Sequence, residues 1–184
     1  KAGRTAERQS VFDQFKADCG SGLEAYATWC LCYDKWGAPN GEESNWERKF
    51  NRNSPEIANL RKQYPDTLDF YRWLEWIAAE QLSSAQQAAK DAGMHIGILS
   101  DMAVGVHPSG ADVWWNPERF AKGATVGAPP DMFNQQGQNW SHPPLSPINL
   151  ETTGYEAYRN MVHGMFARAG AVRMDRVVGL CRLW

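Results

Sequence analysis

Apolar residues in the first half of the chain recur every three or four positions, which is the spacing of amphipathic helices. Capping and stop residues divide this half into successive helices, predicted to begin or end at Gly20, Ser21, Gly37 and Ser54. The longest predicted helix is capped by Asp66 and ends at Gly93. Its apolar stripe, which we expect to face the core, comprises Tyr71, Leu74, Ala78, Leu82, Ala85 and Ala89, flanked by Phe70, Trp73 and Ile77.

After Gly93 the pattern changes. Residues 94–106 form a short apolar run typical of a strand, and 171–180 form another, preceded by a helical pattern over 154–170. The order strand, loop, helix, strand is that of a βαβ unit, which implies parallel strands. The segment 105–150 shows little periodicity but holds many prolines and glycines. Segments of this length without clear elements are functional or disordered, and its aromatic residues favour function.

The second predicted strand carries Arg173, Asp175 and Arg176 inside an otherwise apolar run. Alternation along a strand places Arg173 and Asp175 on one face, with Cα atoms about 6–7 Å apart. A structural ion pair at a strand end explains this arrangement. A carboxylate nucleophile at the carboxyl end of a barrel strand, kept ionised by the guanidinium, also explains it. The residues by themselves leave both alternatives open.

Composition and charge exclude several classes of partner. The net charge of −2 and the absence of any Lys/Arg-rich run exclude an electrostatic nucleic-acid binder. No apolar run approaches the ~18 residues of a membrane span, and no signal peptide is evident, so we expect a cytoplasmic protein with no membrane partner. Nine tryptophans favour carbohydrate binding, because aromatic faces pack against the C–H faces of sugars.

Metal and redox chemistry find no support in the sequence. The cysteines match no zinc or redox spacing and are predicted to be buried free thiols; they are Cys19, Cys30, Cys32 and Cys181. The histidines are scattered, and no pair has the helical spacing of a zinc site. We therefore expect no metal and no cofactor.

Four blocks of sequence resemble, in the right order, the 4-α-glucanotransferase family, also called amylomaltases or disproportionating enzymes. They are "YRWLEWIAAEQL", "IGILSDMAVGVHPSGADVWWNP", "GATVGAPPDMFNQQGQNWSHPPLSP" and "GAVRMDRVVGLCRLW". The resemblance covers residues 65–184, whereas 1–64 resemble only loosely the helical subdomain that such enzymes insert in their barrel. It implies an α/β fold: a partial TIM-type (β/α) barrel over 65–184, with an N-terminal all-helical insertion subdomain over 1–64.

The resemblance also implies roles for individual residues. Asp175 would be the nucleophile that forms a covalent β-glucosyl intermediate, with Arg173 orienting it. Asp101 matches the acidic residue after the family's third strand, near the donor site. The loop 127–140 would wrap the glucan, and its expected contacts are Asp131, Phe133, Gln138 and Trp140. The implied partners are maltodextrins, as donor and acceptor of α-1,4-glucan segments, and the implied transfer retains anomeric configuration.

Three departures from the family pattern stand out. Arg176 follows the nucleophile where the family usually has His, and we expect it to contact the sugar at the reacting subsite. Met132 replaces an aromatic residue of the loop. The family's acid/base Glu and third Asp lie on strands later than the one at which the chain stops. We therefore expect this polypeptide to be inactive by itself, and its open strand edges to promote self-association.

Two other functions compete with glucan transfer. An α-glucan hydrolase on the same scaffold would share the nucleophile, and differ only in accepting water for the second step. The long loop favours transfer, because a covered site excludes water. A non-catalytic glucan-binding domain is the alternative from a different class, and Arg176 would then mark the loss of activity.

Overall fold

The protein is described by a computed structural model over residues 5–39, 44–103 and 105–174. The chain divides into two compact units between Gln81 and Leu82. This division falls inside a long helix, and the predicted boundary between residues 64 and 65 lies at the beginning of that helix. The assignment of 1–64 to an insertion and of 65–184 to a catalytic barrel stays a prediction.

The described part of the first unit is helical. Its elements are α1 (Ala6–Trp36), α2 (Trp46–Lys49), α3 (Pro55–Gln63) and the N-terminal part of α4 (Pro65–Asp91). The hydroxyl of Thr5 caps α1 by accepting a hydrogen bond from the N–H of Arg8 at 3.2 Å. Gly20 is non-helical (φ 50°, ψ −130°), so the two helices predicted here form one element with a kink and no loop. Ser54 and Pro55 begin α3 as predicted.

Aromatic rings fill the core of the first unit. Phe12 of α1 is fully buried, and its ring centroid lies 5.2 Å from that of Trp76 in α4. Trp46 is buried and packs edge-on against Trp29 with centroids 6.4 Å apart. Its indole N–H donates to the carbonyl of Gly37 at 3.0 Å. Trp46 and Trp76 are therefore core residues rather than surfaces for sugar stacking.

The two ends of α4 follow the predicted signals with one difference. The helix begins at Pro65, so Asp66 is not its cap but lies in the first turn, where a carboxylate suits the positive end of the helix dipole. At the other end the N–H of Met94 donates to the carbonyl of Ala89 at 3.1 Å, and that of Gly93 to Lys90 at 3.0 Å. These two bonds form a Schellman motif, and they confirm that the helix ends at Gly93.

The buried face of α4 is not the predicted apolar stripe. Leu68 and Trp76 are buried, whereas Phe70, Leu74 and Leu82 are 49%, 39% and 51% exposed. The expectation that these three face a core is wrong for this chain. Large apolar residues lie on both sides of the helix, so periodicity by itself cannot choose between them. Contacts of Trp76 with Phe12 and Arg8 of α1 select the buried side.

Two of the three thiols of α1 are buried as predicted. Cys30 and Cys32 are buried and form no disulfide, Cys19 is half-buried, and Cys181 lies outside the described residues. Burial raises the pKa of Cys32 to about 12. Burial, with the neighbouring Cys30 thiol next in importance, raises the pKa of Tyr26 to about 12. These groups are therefore neutral at physiological pH.

The described part of the second unit combines short helices and strands. After α4 come β1 (Leu99–Met102), α5 (Ala111–Trp115), a 3₁₀ turn (Pro117–Arg119), β2 (Val126–Ala128), β3 (Gln138–His142), α6 (Pro147–Thr152), α7 (Glu156–Phe166) and β4 (Ala171–Met174). As predicted, β1 and β4 are parallel, while β2 and β3 form an antiparallel hairpin. The fold is mixed α/β, and the described strands form two sheets of two strands each, which do not close a barrel.

The segment 105–150 contains more regular structure than predicted. It holds α5, the 3₁₀ turn, the β2–β3 hairpin and the beginning of α6. These elements span only three to six residues each, too few for a period to appear in the sequence. Trp114 and Val126 are buried and anchor the segment.

Helix α7 covers one face of β1. Tyr158 and Val162 of its predicted apolar stripe are half-buried, whereas Tyr155 and Phe166 are exposed. The hydroxyl of Tyr158 donates to Sδ of Met102 in β1 at 3.8 Å, and burial raises the pKa of this hydroxyl. Among the described helices, none is both long and apolar enough to cross a membrane.

Candidate active site

Asp101 and Arg173 lie side by side on the parallel strands β1 and β4. They are register partners, and Nη1 of Arg173 donates a charge-assisted hydrogen bond to Oδ2 of Asp101. Their side chains are 57% and 56% exposed, respectively. The pair lies near the carboxyl end of β1, and α/β folds place ligand-binding and catalytic residues at this end of parallel strands.

The β1–β4 sheet has two different faces. Because side chains alternate, Leu99 and Asp101 point to one face of β1, and Ser100 and Met102 to the other. Helix α7 covers the face of Met102, which is buried, whereas Leu99 is 58% exposed. Asp101 and Arg173 therefore project from the face that the described residues leave open, where a polar ligand can reach them.

The predicted nucleophile lies next to this pair in sequence. Asp175 and Arg176 are outside the described residues, so their roles stay predictions. Arg173 is predicted to orient Asp175, and the structure shows it bonded to Asp101. Sequence reasoning named Asp101 and Arg173 separately and missed their pairing. Both residues come third in the observed strands, but the predicted runs begin at residues 94 and 171, so the sequence did not reveal this equal offset.

Asp131 has a structural role at the tip of the β2–β3 hairpin. Its Oδ1 accepts hydrogen bonds from the backbone N–H groups of Phe133, at 2.8 Å, and Asn134, at 2.6 Å. Such an Asx turn fixes the backbone of the tip. One oxygen of this predicted glucan contact is therefore engaged by the loop itself. The fixed turn presents Phe133, which is 92% exposed, and Met132, which is 83% exposed.

Gln138 and Trp140 are held together on β3. The indole N–H of Trp140 donates to Oε1 of Gln138 at 2.9 Å. Gln138 is exposed and Trp140 is half-buried. The amide N–H groups of Gln138 and the edge of the Trp140 ring are thus oriented by one hydrogen bond, which is an arrangement suited to a sugar ring with its hydroxyls.

The base of the hairpin lies against the segment that follows β1. A Cβ added to Gly105 would lie 2.9 Å from Cβ of His142, so a larger residue does not fit without displacing that side chain. Nδ1 of His142 is buried and has no hydrogen-bond partner among the described residues. This contact connects the hairpin that carries Gln138 and Trp140 to the chain just beyond Asp101.

The described residues contain no cluster of three or more His, Cys, Asp or Glu side chains that could hold a metal ion. The arrangement is that of an α/β protein with a carboxylate and a guanidinium paired at the ends of parallel strands. The chain belongs to the 4-alpha-glucanotransferase family, which it matches over residues 1–184. The resemblance predicted from residues 65–184 is confirmed, and it extends through the N-terminal helices.

Individual relatives agree with this assignment. The chain is 41% identical over 182 residues to the 4-alpha-glucanotransferase of Mycobacterium tuberculosis (strain ATCC 25618 / H37Rv). This match covers 98% of the chain and 25% of the relative. The crystal structure of amylomaltase from Corynebacterium glutamicum matches 98% of this chain and 23% of its own, with a TM-score of 0.78 and 41% identity.

A more distant structure shows that the fold is shared. Amylomaltase from Streptococcus agalactiae in complex with acarbose has a TM-score of 0.80 at 16% identity, and the match covers 95% of this chain and 36% of that one. The chain spans 25% of the length of the mycobacterial relative, so it corresponds to one part of that protein.

Proposed function

We propose that the protein is a 4-alpha-glucanotransferase that moves segments of α-1,4-glucan from one maltodextrin to the 4-hydroxyl of another, or of glucose. Membership of the family over the whole chain supports this reaction. The observation that carries it is the register pair Asp101–Arg173 at the carboxyl end of β1. We further propose that β1 and β4 belong to a TIM-type barrel, in which these strand ends form the catalytic site.

The proposed chemistry is a double displacement with retention. The carboxylate of Asp175 attacks the anomeric carbon while a second carboxyl group protonates the departing 4-oxygen, which leaves a covalent β-glucosyl intermediate. The acceptor 4-hydroxyl then attacks this intermediate and loses its proton to the same second carboxyl. Retaining enzymes hold the two carboxyl groups about 5–5.5 Å apart.

Arg173 and Asp101 assist this reaction from neighbouring strands. The positive charge of Arg173 favours the ionised form of nearby carboxylates, and a nucleophilic Asp175 needs that form. Asp101, an acceptor when ionised, binds hydroxyl groups of the donor sugar. Because Arg173 also holds Asp101 by a hydrogen bond, it fixes both the binding carboxylate and the chain that leads to the nucleophile.

The β2–β3 hairpin supplies the glucan contacts. Phe133 and Trp140 offer rings for stacking, and Gln138 offers amide hydrogens for sugar hydroxyls. A hairpin laid over the glucan also excludes water, so that a sugar hydroxyl rather than water attacks the intermediate. The complex of the Streptococcus agalactiae relative with acarbose accords with a glucan ligand for this protein.

The test is incubation of the full-length protein with maltotriose and chromatography of the products. We expect maltodextrins longer than the substrate, and a loss of about 10³-fold or more in kcat for Asp175→Asn. Asp91→Asn is the control, because Asp91 is exposed and its bond from Gln87 can be kept by the asparagine oxygen. Products no longer than maltotriose would instead identify a hydrolase, and binding without turnover a glucan-binding domain.

A further inference from the structure

Gln86 of α4 pairs with the backbone just before β1 as a neighbouring strand would. Its Oε1 accepts the N–H of Ile98 at 2.6 Å, and its Nε2 donates to the carbonyl of Ile96 at 3.0 Å. A side-chain amide carries the same acceptor and donor as a peptide group, so it can satisfy both backbone groups at once. One side chain thus binds the chain on both sides of Gly97.

Two glycines make room for this amide. Gly97 has a φ of +79°, and a Cβ there would lie 2.8 Å from Nε2 and 2.9 Å from Cδ of Gln86. At Gly170, just before β4, a Cβ would overlap the carbonyl oxygen of Ile96 and lie 3.1 Å from Nε2 of Gln86. The beginnings of β1 and β4 therefore converge on the Gln86 amide, and side chains at either glycine would push it away.

The contacts at the beginning of β1 and β4 also determine the register of the two strands. The N–H groups of Gly170 and Ala171 both lie within hydrogen-bonding distance of the carbonyl of Ile98, at 3.0 and 3.4 Å. From there the strands run in step until Asp101 meets Arg173. Since side chains alternate, a slip of one residue in either strand would turn its charged group to the face covered by α7.

We propose that Gln86 is a positioning residue of the active site. It fixes the entry of β1 against β4, and through the register of these strands it sets Asp101 opposite Arg173. The inference rests on the proposed function, because the pair has a catalytic purpose only if these strand ends bind and cleave a glucan.

The adjacent residue provides a matched control. Gln87 has the same side chain on the same helix, but its Nε2 donates to Oδ1 of Asp91 within α4, at 2.8 Å. Replacing it alters the surface of the helix and leaves the strands untouched. Gln86→Met therefore loses the bonds to Ile96 and Ile98, whereas Gln87→Met loses only a bond within α4. Gln86→Glu keeps an acceptor for Ile98 and places an oxygen against the carbonyl of Ile96.

The experiment measures kcat, KM and amide hydrogen exchange of Ile98 in the full-length protein, well below its unfolding temperature, where a variant that is merely less stable stays folded. For Gln86→Met we expect kcat to fall about 10- to 100-fold, the cost of a displaced catalytic group, with a smaller change in KM. Exchange at Ile98 should be faster. Gln86→Glu should lower kcat as well. In Gln87→Met, kcat and the exchange rate of Ile98 should be unchanged.

Two outcomes would overturn the inference in different ways. Faster exchange at Ile98 with unaltered kcat in Gln86→Met would show that the amide supports the fold and does not position the site. Absence of glucan transfer in the unsubstituted protein would overturn the proposed function itself. In that case the exchange of Ile98 would still show whether Gln86 holds the beginning of β1.

Discussion

The two units of the chain differ in how much of their apolar surface they bury. In the first unit Phe12, Leu31 and Ile57 are completely inaccessible to solvent. The buried apolar residues described in the second unit are Met102, Trp114 and Val126, while many others are exposed, among them Met94, Ile96, Leu99, Ile148 and Phe166. Burial of apolar surface is the main source of folding free energy. The helical unit is thus able to stabilise itself, and the unit with the candidate site depends on further contacts.

Ion pairs show the same contrast. Glu24 of the first unit accepts hydrogen bonds from Arg61 at 2.5 Å and from Arg72 at 2.7 Å. None of these three side chains is more than 34% exposed. The Asp101–Arg173 pair is more than half exposed. Exposed pairs contribute little stability, about 0–1 kcal/mol. The first network therefore holds helices together, whereas the second pair is available for a ligand.

The largest effect is expected when the chain is cut at Gly93, which keeps the whole of α4 with the first unit. We expect residues 1–92 to show a cooperative denaturant transition, because they contain most of the buried apolar residues that the structure describes. Residues 93–184 should show none, because their apolar residues lack a core to enter. Circular dichroism in the near ultraviolet, where tryptophan packing is observed, measures both. A cooperative transition of the second piece with a native-like aromatic spectrum would break the comparison.

Two phenylalanines test the contrast at single residues. Phe12→Ala should reduce the free energy of unfolding by about 3–5 kcal/mol, because it leaves a cavity beside Trp76. Phe133→Ala removes the same ring from an exposed loop tip and should change stability by less than about 0.5 kcal/mol. Urea titrations followed by tryptophan fluorescence measure both changes. Equal losses in the two variants would contradict the difference between the units.

A smaller effect is expected from pH. Burial raises the pKa of Cys32 from 9.0 to about 12 and that of Tyr26 from 10.0 to about 12. Between these values the unfolded chain releases protons that the folded chain keeps, so stability is complete below about pH 9 and falls as pH rises toward 12. For the buried Cys32, each unit of difference in pKa corresponds to about 1.4 kcal/mol. Solvent screening makes the contribution of Tyr26 smaller, because this residue is 41% exposed.

Denaturant midpoints of the first unit at pH 8, 9, 10 and 11 measure this loss. Cys32→Ala should reduce the dependence on pH, because it removes one of the acidic groups with a raised pKa and leaves Tyr26, Cys30 and Tyr71. An equally steep decline in this variant would show that another group is responsible.

The elements that are long, or that have clear capping or stop residues at their ends, were predicted from the sequence. The beginning of α3 and the end of α4 follow from Pro55 and Gly93, whose local chemistry acts without help from tertiary contacts. The parallel pairing of β1 and β4 followed from the order of elements. The short elements of 105–150 escaped prediction because they are shorter than the period that would reveal them.

The candidate site was predictable in its residues and not in its contacts. Asp101 and Arg173 were recognised from their motifs, but their pairing needed the register. Asp131 was expected to touch the glucan, yet its Oδ1 is used by its own turn, which an isolated Asp in a loop does not reveal. The role of Gln86 was not predicted, because a glutamine on an amphipathic helix has no sequence feature that distinguishes it from a solvent-exposed residue.

The parallel pairing of β1 with β4 has a consequence for synthesis on the ribosome. Asp101 and Arg173 are 72 residues apart, so at about 5–20 residues per second roughly 4–14 s pass between their incorporation. During this interval the helices of the first unit have already been synthesised, and the carboxylate of Asp101 lacks the guanidinium of Arg173. Codon choice in the intervening stretch, which sets this delay, should therefore influence how much of the nascent protein reaches its native state.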